Sequence, residues 1–89
     1  MTELHCIVSG RVQGVSFRDF IRSIAIELGI NGYAKNLSDG SVEVVAQGEL
    51  QILKVLMNHI YTGPPGSHVV QVADEWGPIS EEYTSFDAL

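Results

Sequence analysis

Between Gly10 and Arg18 the chain reads Gly-Arg-Val-Gln-Gly-Val-Ser-Phe-Arg, a run of residue types suited to gripping an anion. Glycines at positions 10 and 14 permit backbone conformations in which successive N–H groups converge, and a helix opening at Phe17 adds the positive end of its dipole. The main-chain N–H groups of Val12, Gln13, Gly14, Val15 and Ser16 then form a cradle for phosphate oxygens. Arg18, one residue into the helix, presents a planar, permanently charged fork to the same oxygens. By itself, Gly-x-x-x-Gly is common between a strand and a helix, and its plainer meaning is a surface turn followed by a solvated arginine. The Gly-Lys-Ser/Thr ending of a nucleotide-binding loop is missing, which disfavours ATP and GTP. Asn36, beside a second turn, is the other candidate. Taken alone it reads as a turn former, because asparagine tolerates left-handed backbone.

The elements that must position these residues follow from periodicity. Leu4, Cys6 and Val8 alternate with His5, Ile7 and Ser9, the pattern of a half-buried strand, and Gly10 to Gly14 interrupts it. From Phe17 the apolar positions fall at Phe17, Phe20, Ile21, Ile24, Ala25 and Leu28, one face of a helix that Gly29 suits as a C-terminal cap. A second strand, about Gly32 to Asn36, meets a third, about Ser41 to Gln47, across Leu37-Ser38-Asp39-Gly40, whose Asp-Gly is a hairpin signal. The third strand alternates Val42, Val44 and Ala46 with Glu43 and Gln47. After Gly48, Leu53, Leu56, Met57 and Ile60 share one helix face, with Glu49 near its positive end. Gly63-Pro64-Pro65-Gly66 is a loop, His68 to Ala73 a fourth strand, and Tyr83 to Leu89 a short fifth. The order βαββαβ with right-handed crossovers predicts an antiparallel sheet with both helices on one face. Its first and second strands run parallel with the third between them, so the turns flanked by Arg18 and Asn36 lie at the same end.

Composition narrows the partners. The 89 residues carry 11 acids against 5 bases, a net charge of -6, and that acidity argues against a broad, charge-driven nucleic-acid partner. The excess is uneven. Up to residue 40, Arg11, Arg18, Arg22 and Lys35 balance Glu3, Asp19, Glu27 and Asp39, whereas beyond it only Lys54 opposes Glu43, Glu49, Asp74, Glu75, Glu81, Glu82 and Asp87. A chain of this size folds to an accessible surface of about 5,100 Å². No run approaches the roughly 20 apolar residues of a membrane span, and the start lacks a signal-peptide pattern. A single cysteine, Cys6, excludes a disulfide framework or multi-thiolate metal site and suits reducing cytoplasm.

At greater length the two turns become specific. Val8-Ser-Gly-Arg-Val-Gln-Gly-Val-Ser-Phe-Arg18 resembles the first signature of the acylphosphatases. Gly32-Tyr-Ala-Lys-Asn-Leu-Ser-Asp-Gly-Ser-Val42, with Gly48 following, resembles the second, and Gly63-Pro-Pro-Gly66 also looks like the family. Tyr33 stands where many members carry tryptophan, and Phe86-Asp87-Ala88-Leu89 makes a shorter finish than usual. The resemblance spans nearly the whole chain. It implies a ferredoxin-like α+β sandwich over residues 1–89 and metal-free, cofactor-free hydrolysis of the carboxyl-phosphate bond of a small acylphosphate. It also implies an arginine that binds the phosphate, here Arg18, and an asparagine that positions the attacking water, here Asn36. Inorganic phosphate would compete for such a site, and the small size and resemblance suit a monomer.

The remaining residues carry little chemistry. His5, His59 and His68 lack the paired spacing of metal ligands, the adjacent His5 falls on the side of the strand opposite Cys6 and so does not activate it, Arg11 reads as solvent-facing, and Lys35 and Arg22 raise the local potential without touching substrate. Met57 and Trp76 read as core or rim, and the acids from Asp74 to Glu82 as a solvated face. Two other readings share the pattern. One is a non-catalytic anion-binding or regulatory module of the same fold. The other is an RNA-recognition domain, which shares the element order but stacks bases on third-strand aromatics, and Ser41 to Gln47 has none.

Overall fold

In the computed structural model, which describes residues 1–89, Leu4, Cys6 and Val8 project from β1 (Thr2–Arg11) and are wholly buried. The chain continues through α1 (Phe17–Leu28), β2 (Asn31–Asn36), β3 (Val42–Gly48), α2 (Leu50–Thr62), β4 (His68–Gly77) and β5 (Phe86–Ala88). The expected order is present, with the short fifth strand formed.

Both helices lie over one face of the sheet. Phe17, Ile21 and Ala25 of α1 and Leu53, Leu56, Met57 and Ile60 of α2 join Leu4, Cys6, Val8, Ala34, Val44 and Ala46 in one apolar cluster. The helical spacing read from the sequence is therefore the spacing that is buried. Gly29 ends α1 in a left-handed conformation, with its N–H donating to Ile26 O and that of Ile30 to Ala25 O, a Schellman arrangement that satisfies the last carbonyls. The folded surface is 4980 Å², close to expectation for a chain of this length. No helix is long and apolar enough to cross a membrane.

The sheet order is β4-β1-β3-β2-β5. β1 and β2 each pair antiparallel with β3, so they run parallel to one another and open at the same end. Three expectations need correction. First, the sheet is mixed, because β5 pairs parallel with β2, from Gly32 opposite Phe86 to Ala34 opposite Ala88. β4 runs antiparallel to β1 and finishes where β1 begins. The chain then crosses the sheet at that end and must run upward beside β2, toward the end where Arg18 and Asn36 lie. Second, β5 begins at Phe86 and not Tyr83; the Tyr83 ring instead meets Tyr33 edge-on at 5.7 Å. Third, β4 extends through Asp74, Glu75 and Trp76 to Gly77, an exposed edge strand paired with β1 as far as Glu3.

Gln47 alternates with the apolar Val44 and Ala46 on the side of Glu43, yet it is only 2% exposed. The crossing segment covers it: its Nε2 donates to Glu3 Oε1 at 2.9 Å and to the Glu81 carbonyl, and its Oε1 accepts from Tyr83 N–H at 3.0 Å. A buried carboxamide is tolerable when both ends are bonded, as here.

Candidate active site

Strand register decides where Asn36 stands. Val8 pairs with Val42 and Val42 with Asn36, so the three occupy one row across the sheet, on the helix-covered face and at its upper end. Ala34, two residues earlier on the same side, is wholly buried, whereas Asn36 is half-buried beside the opening of α1. Its Oδ1 is buried and has no hydrogen-bonding partner in the protein. Leaving such an acceptor unpaired costs about 1–3 kcal/mol, which marks Asn36 as a group held ready for something other than folding.

The β1–α1 loop faces it. A bulge between Ser9 and Gly10 in the β1–β4 ladder bends β1 just before the loop, and Gly10 takes φ 123°, a conformation that side-chain-bearing residues rarely adopt. Gly14 at φ 75° and Ser16 at φ 60° then place two left-handed residues within the turn. Ser16 is the N-cap of α1, although its hydroxyl makes no capping bond. From Val12 to Ser16 no main-chain N–H donates to another main-chain group, and the first turn of α1 adds the free N–H groups common to every helix start. The loop is a run of unspent donors at the positive end of a helix, the arrangement that binds anions.

Val12, Gly14, Ser16, Phe17, Arg18, Asp19 and Asn36 line one open cleft of about 320 Å³. That lies within the range of small-molecule sites. Arg18 donates through Nη1 to the main-chain oxygen of Leu89, so β5 supplies a brace for the guanidinium. His5 Nε2 and Glu43 Oε2 meet at 2.8 Å on the uncovered face of the sheet, and no side-chain carboxylate pairs with Arg18. Tyr33 donates to the same Glu43, and burial followed by that carboxylate pushes its phenol up to about 12.

Of the residues expected from the sequence, Val12, Gly14, Ser16, Arg18 and Asn36 meet in the cleft. Gln13 and Val15 do not line it: Val15 packs against the core, and the Gln13 side chain turns away to the β2–β3 hairpin. Phe17 and Asp19 line the cleft without having been singled out. Helical geometry held a signal for Asp19, because the first turn of a helix whose N-terminus faces an anion site lies against that site. Arg11, Arg22 and Lys35 are exposed and contribute no wall. Cys6 is fully buried, and burial followed by the charge of Asp74 pushes its thiol up to about 12, which makes it inert as a nucleophile.

A helix-backed sheet with a run of free N–H donors beside a cleft at the shared end of its two parallel inner strands defines a small ferredoxin-like α+β protein with room for an anion. Comparison with known proteins agrees. The acylphosphatase family profile matches residues 4–88. An acylphosphatase of Thermus thermophilus is 47% identical over 77 residues, covering 86% of this chain and 88% of its own. The crystal structure of acylphosphatase from Bacillus subtilis superposes with a TM-score of 0.97 at 32% identity, covering 100% of this chain and 99% of that one. The acylphosphatase structure from Coxiella burnetii gives 0.91 at 42% identity, covering 99% and 92%. The chain belongs to the acylphosphatase family.

Proposed function

We propose that this acylphosphatase performs its hydrolysis in the cleft shared by the β1–α1 loop, Arg18 and Asn36. The N–H groups of the loop residues that line the cleft, Val12, Gly14 and Ser16, and the Arg18 guanidinium hold the three non-bridging oxygens of the phosphoryl group. Asn36 Oδ1 accepts a hydrogen bond from a water, turning a lone pair of the water oxygen toward phosphorus, in line with the bond to the carboxylate. That bond breaks as the new P–O bond forms, and the products are a carboxylate and inorganic phosphate. A carboxylate leaves readily, so no group is needed to protonate it; position and charge stabilisation suffice. The water's proton passes to a phosphoryl oxygen, because neither a guanidinium nor a carboxamide accepts one near neutrality.

What carries this reading is the buried Asn36 oxygen with no partner, in the same cleft as a run of free N–H donors. The experiment is hydrolysis of benzoyl phosphate. Asn36→Ala should lower kcat by about 100-fold with little change in phosphate inhibition, and Arg18→Ala should weaken phosphate binding as well as slow the reaction. Wild-type rates in both variants would refute the site. Wild-type protein that bound phosphate and left benzoyl phosphate intact would instead select the non-catalytic anion-binding module.

The reading extends to the whole chain as one acylphosphatase-like domain, residues 1–89, acting as a cytoplasmic monomer on a small acylphosphate, with inorganic phosphate as the competing ligand and no nucleic-acid partner. A single apolar cluster, with Val69 and Val72 of β4 packed against it, supports one domain, and one buried thiol suits a reducing compartment. Light scattering checks the monomer.

A further inference from the structure

We infer that the Gln13 side chain is a positioning residue, which sets Asn36 against the phosphate-binding loop. Gln13 lies at the middle of the loop, yet its carboxamide crosses to the β2–β3 hairpin. Nε2 donates to Leu37 O at 2.8 Å and to Ser41 O at 2.9 Å, spending both of its hydrogens. Those two carbonyls form the neck of the hairpin and already accept one main-chain bond each, from Gly40 N–H at 3.2 Å and Leu37 N–H at 2.9 Å. Gln13 takes up their second lone pairs. Leu37 follows Asn36 directly and its N–H donates to the same Ser41 carbonyl that Gln13 bonds, so the Gln13 carboxamide fixes the backbone immediately after the water-holding group.

The loop has little else to register it. Neither an N–H nor a carbonyl from Val12 to Val15 takes part in a main-chain hydrogen bond. Val12 is buried and Val15 packs on the core, but apolar contacts tolerate sliding that a two-pronged hydrogen bond does not. In-line attack requires the cradle that holds phosphorus and the residue that holds the water to keep their separation, and a displacement of about 1 Å costs on the order of 100-fold in rate. Gln13 is the one side chain hydrogen-bonded from the loop to the strand end bearing Asn36.

This inference rests on the reading of Asn36 as the holder of the water, and the test separates the two. Benzoyl phosphate hydrolysis is measured for Gln13→Met, which keeps length without donors, for Asn36→Ala and for the double variant. We expect Gln13→Met to lower kcat by roughly 10- to 100-fold, with KM and the inhibition constant of inorganic phosphate within about twofold of wild type. The double variant should be no slower than Asn36→Ala, because both changes act through one water. Wild-type kcat in Gln13→Met, or losses that multiply in the double variant, would overturn the inference while leaving the site reading intact. A parallel rise of KM and the phosphate constant at unchanged kcat would also overturn it, showing that Gln13 shapes only the cradle. Wild-type kcat in Asn36→Ala would remove the site reading first and this inference with it.

Gln13→Glu adds a pH readout. A carboxyl donates to the hairpin only when protonated, so its kcat relative to wild type should rise as pH falls; a constant ratio across pH contradicts the role. If the variants fail to fold, the wild-type protein still decides. Labelled with ¹⁵N and ¹³C, it should show couplings across the hydrogen bonds from Gln13 Nε2 to the carbonyl carbons of both Leu37 and Ser41, and their absence would overturn the inference.

Discussion

Arg18 donates to the main-chain oxygen of Leu89, 71 residues away in sequence. The contact exists because β5 runs parallel to β2 and so ends at the sheet edge where β1 and β2 open onto the cleft. Leu89 N–H in turn donates to Ala34 O at 2.8 Å, two residues before Asn36. Arg18 is thus braced by the residue that follows the last strand.

Deletion of Leu89 should therefore weaken substrate binding more than it weakens the fold. The brace is a charge-assisted bond at an exposed position, so its loss is expected to lower kcat/KM by roughly threefold to tenfold. Steady-state kinetics beside a thermal melt checks this: an unchanged kcat/KM would show that Arg18 holds its place without Leu89.

Gln47 links the same brace to stability. Replacing it with Leu leaves the Tyr83 N–H and the Glu81 carbonyl without their partner, and each hydrogen bond so lost costs about 0.5–1.5 kcal/mol. For a domain of this size the melting point should fall by roughly 4–8 °C per kcal/mol. Because residues 81–85 lead into β5, kcat/KM should fall as well, and an unaltered melting temperature would mean that the segment is held elsewhere.

Alkaline stability follows from Cys6. Its thiol is held in the protonated form up to about 12, first by burial and then by Asp74, against an ordinary value of 9.0. Below pH 9 both states keep the proton and the stabilisation is fully present. Above it the unfolded chain loses the proton while the folded chain retains it, so unfolding free energy falls by up to about 1.4 kcal/mol per pH unit until the folded thiol also ionises. Tyr33, also pushed up to about 12 but largely solvated, adds a smaller fall that begins only above pH 10 and that any Cys6 variant keeps. Urea midpoints at pH 8 and 10.5 should accordingly drop less in Cys6→Val than in wild type; equal drops would contradict the account.

Salt should act opposite to its usual effect on an enzyme with an anionic substrate. The net charge of -6 repels an acylphosphate at long range, while the cradle and Arg18 act only at contact. Adding sodium chloride should leave kcat/KM unchanged or raise it modestly as the repulsion is screened. A steep fall would point to cationic steering or to chloride competing in the cradle, and a chloride inhibition curve separates those two.

The sequence determined the elements, because each announces itself through its own side chains. Period-two alternation from Leu4 to Val8 and the helical spacing from Phe17 to Leu28 name the apolar side of an element whatever packs on it, and Asp39-Gly40 encodes a turn within a few residues. The two long signatures also marked Arg18 and Asn36, since the resemblance rests on local residue order. Only the tertiary structure decided how these pieces face each other. That β5 docks parallel and braces Arg18, that Gln47 is covered, that Asp19 lines the cleft and that Gln13 reaches Leu37 and Ser41 are all contacts between distant stretches of chain. Periodicity reports which face of a segment avoids water; it carries no information about which neighbour supplies the cover or which lone pair a turning side chain will find. The Asn36 oxygen shows the division plainly. Its residue type and place in the strand are legible in the sequence, but that it ends buried and unbonded depends on the row it shares with Val8 and Val42 and on the helix closing over that row.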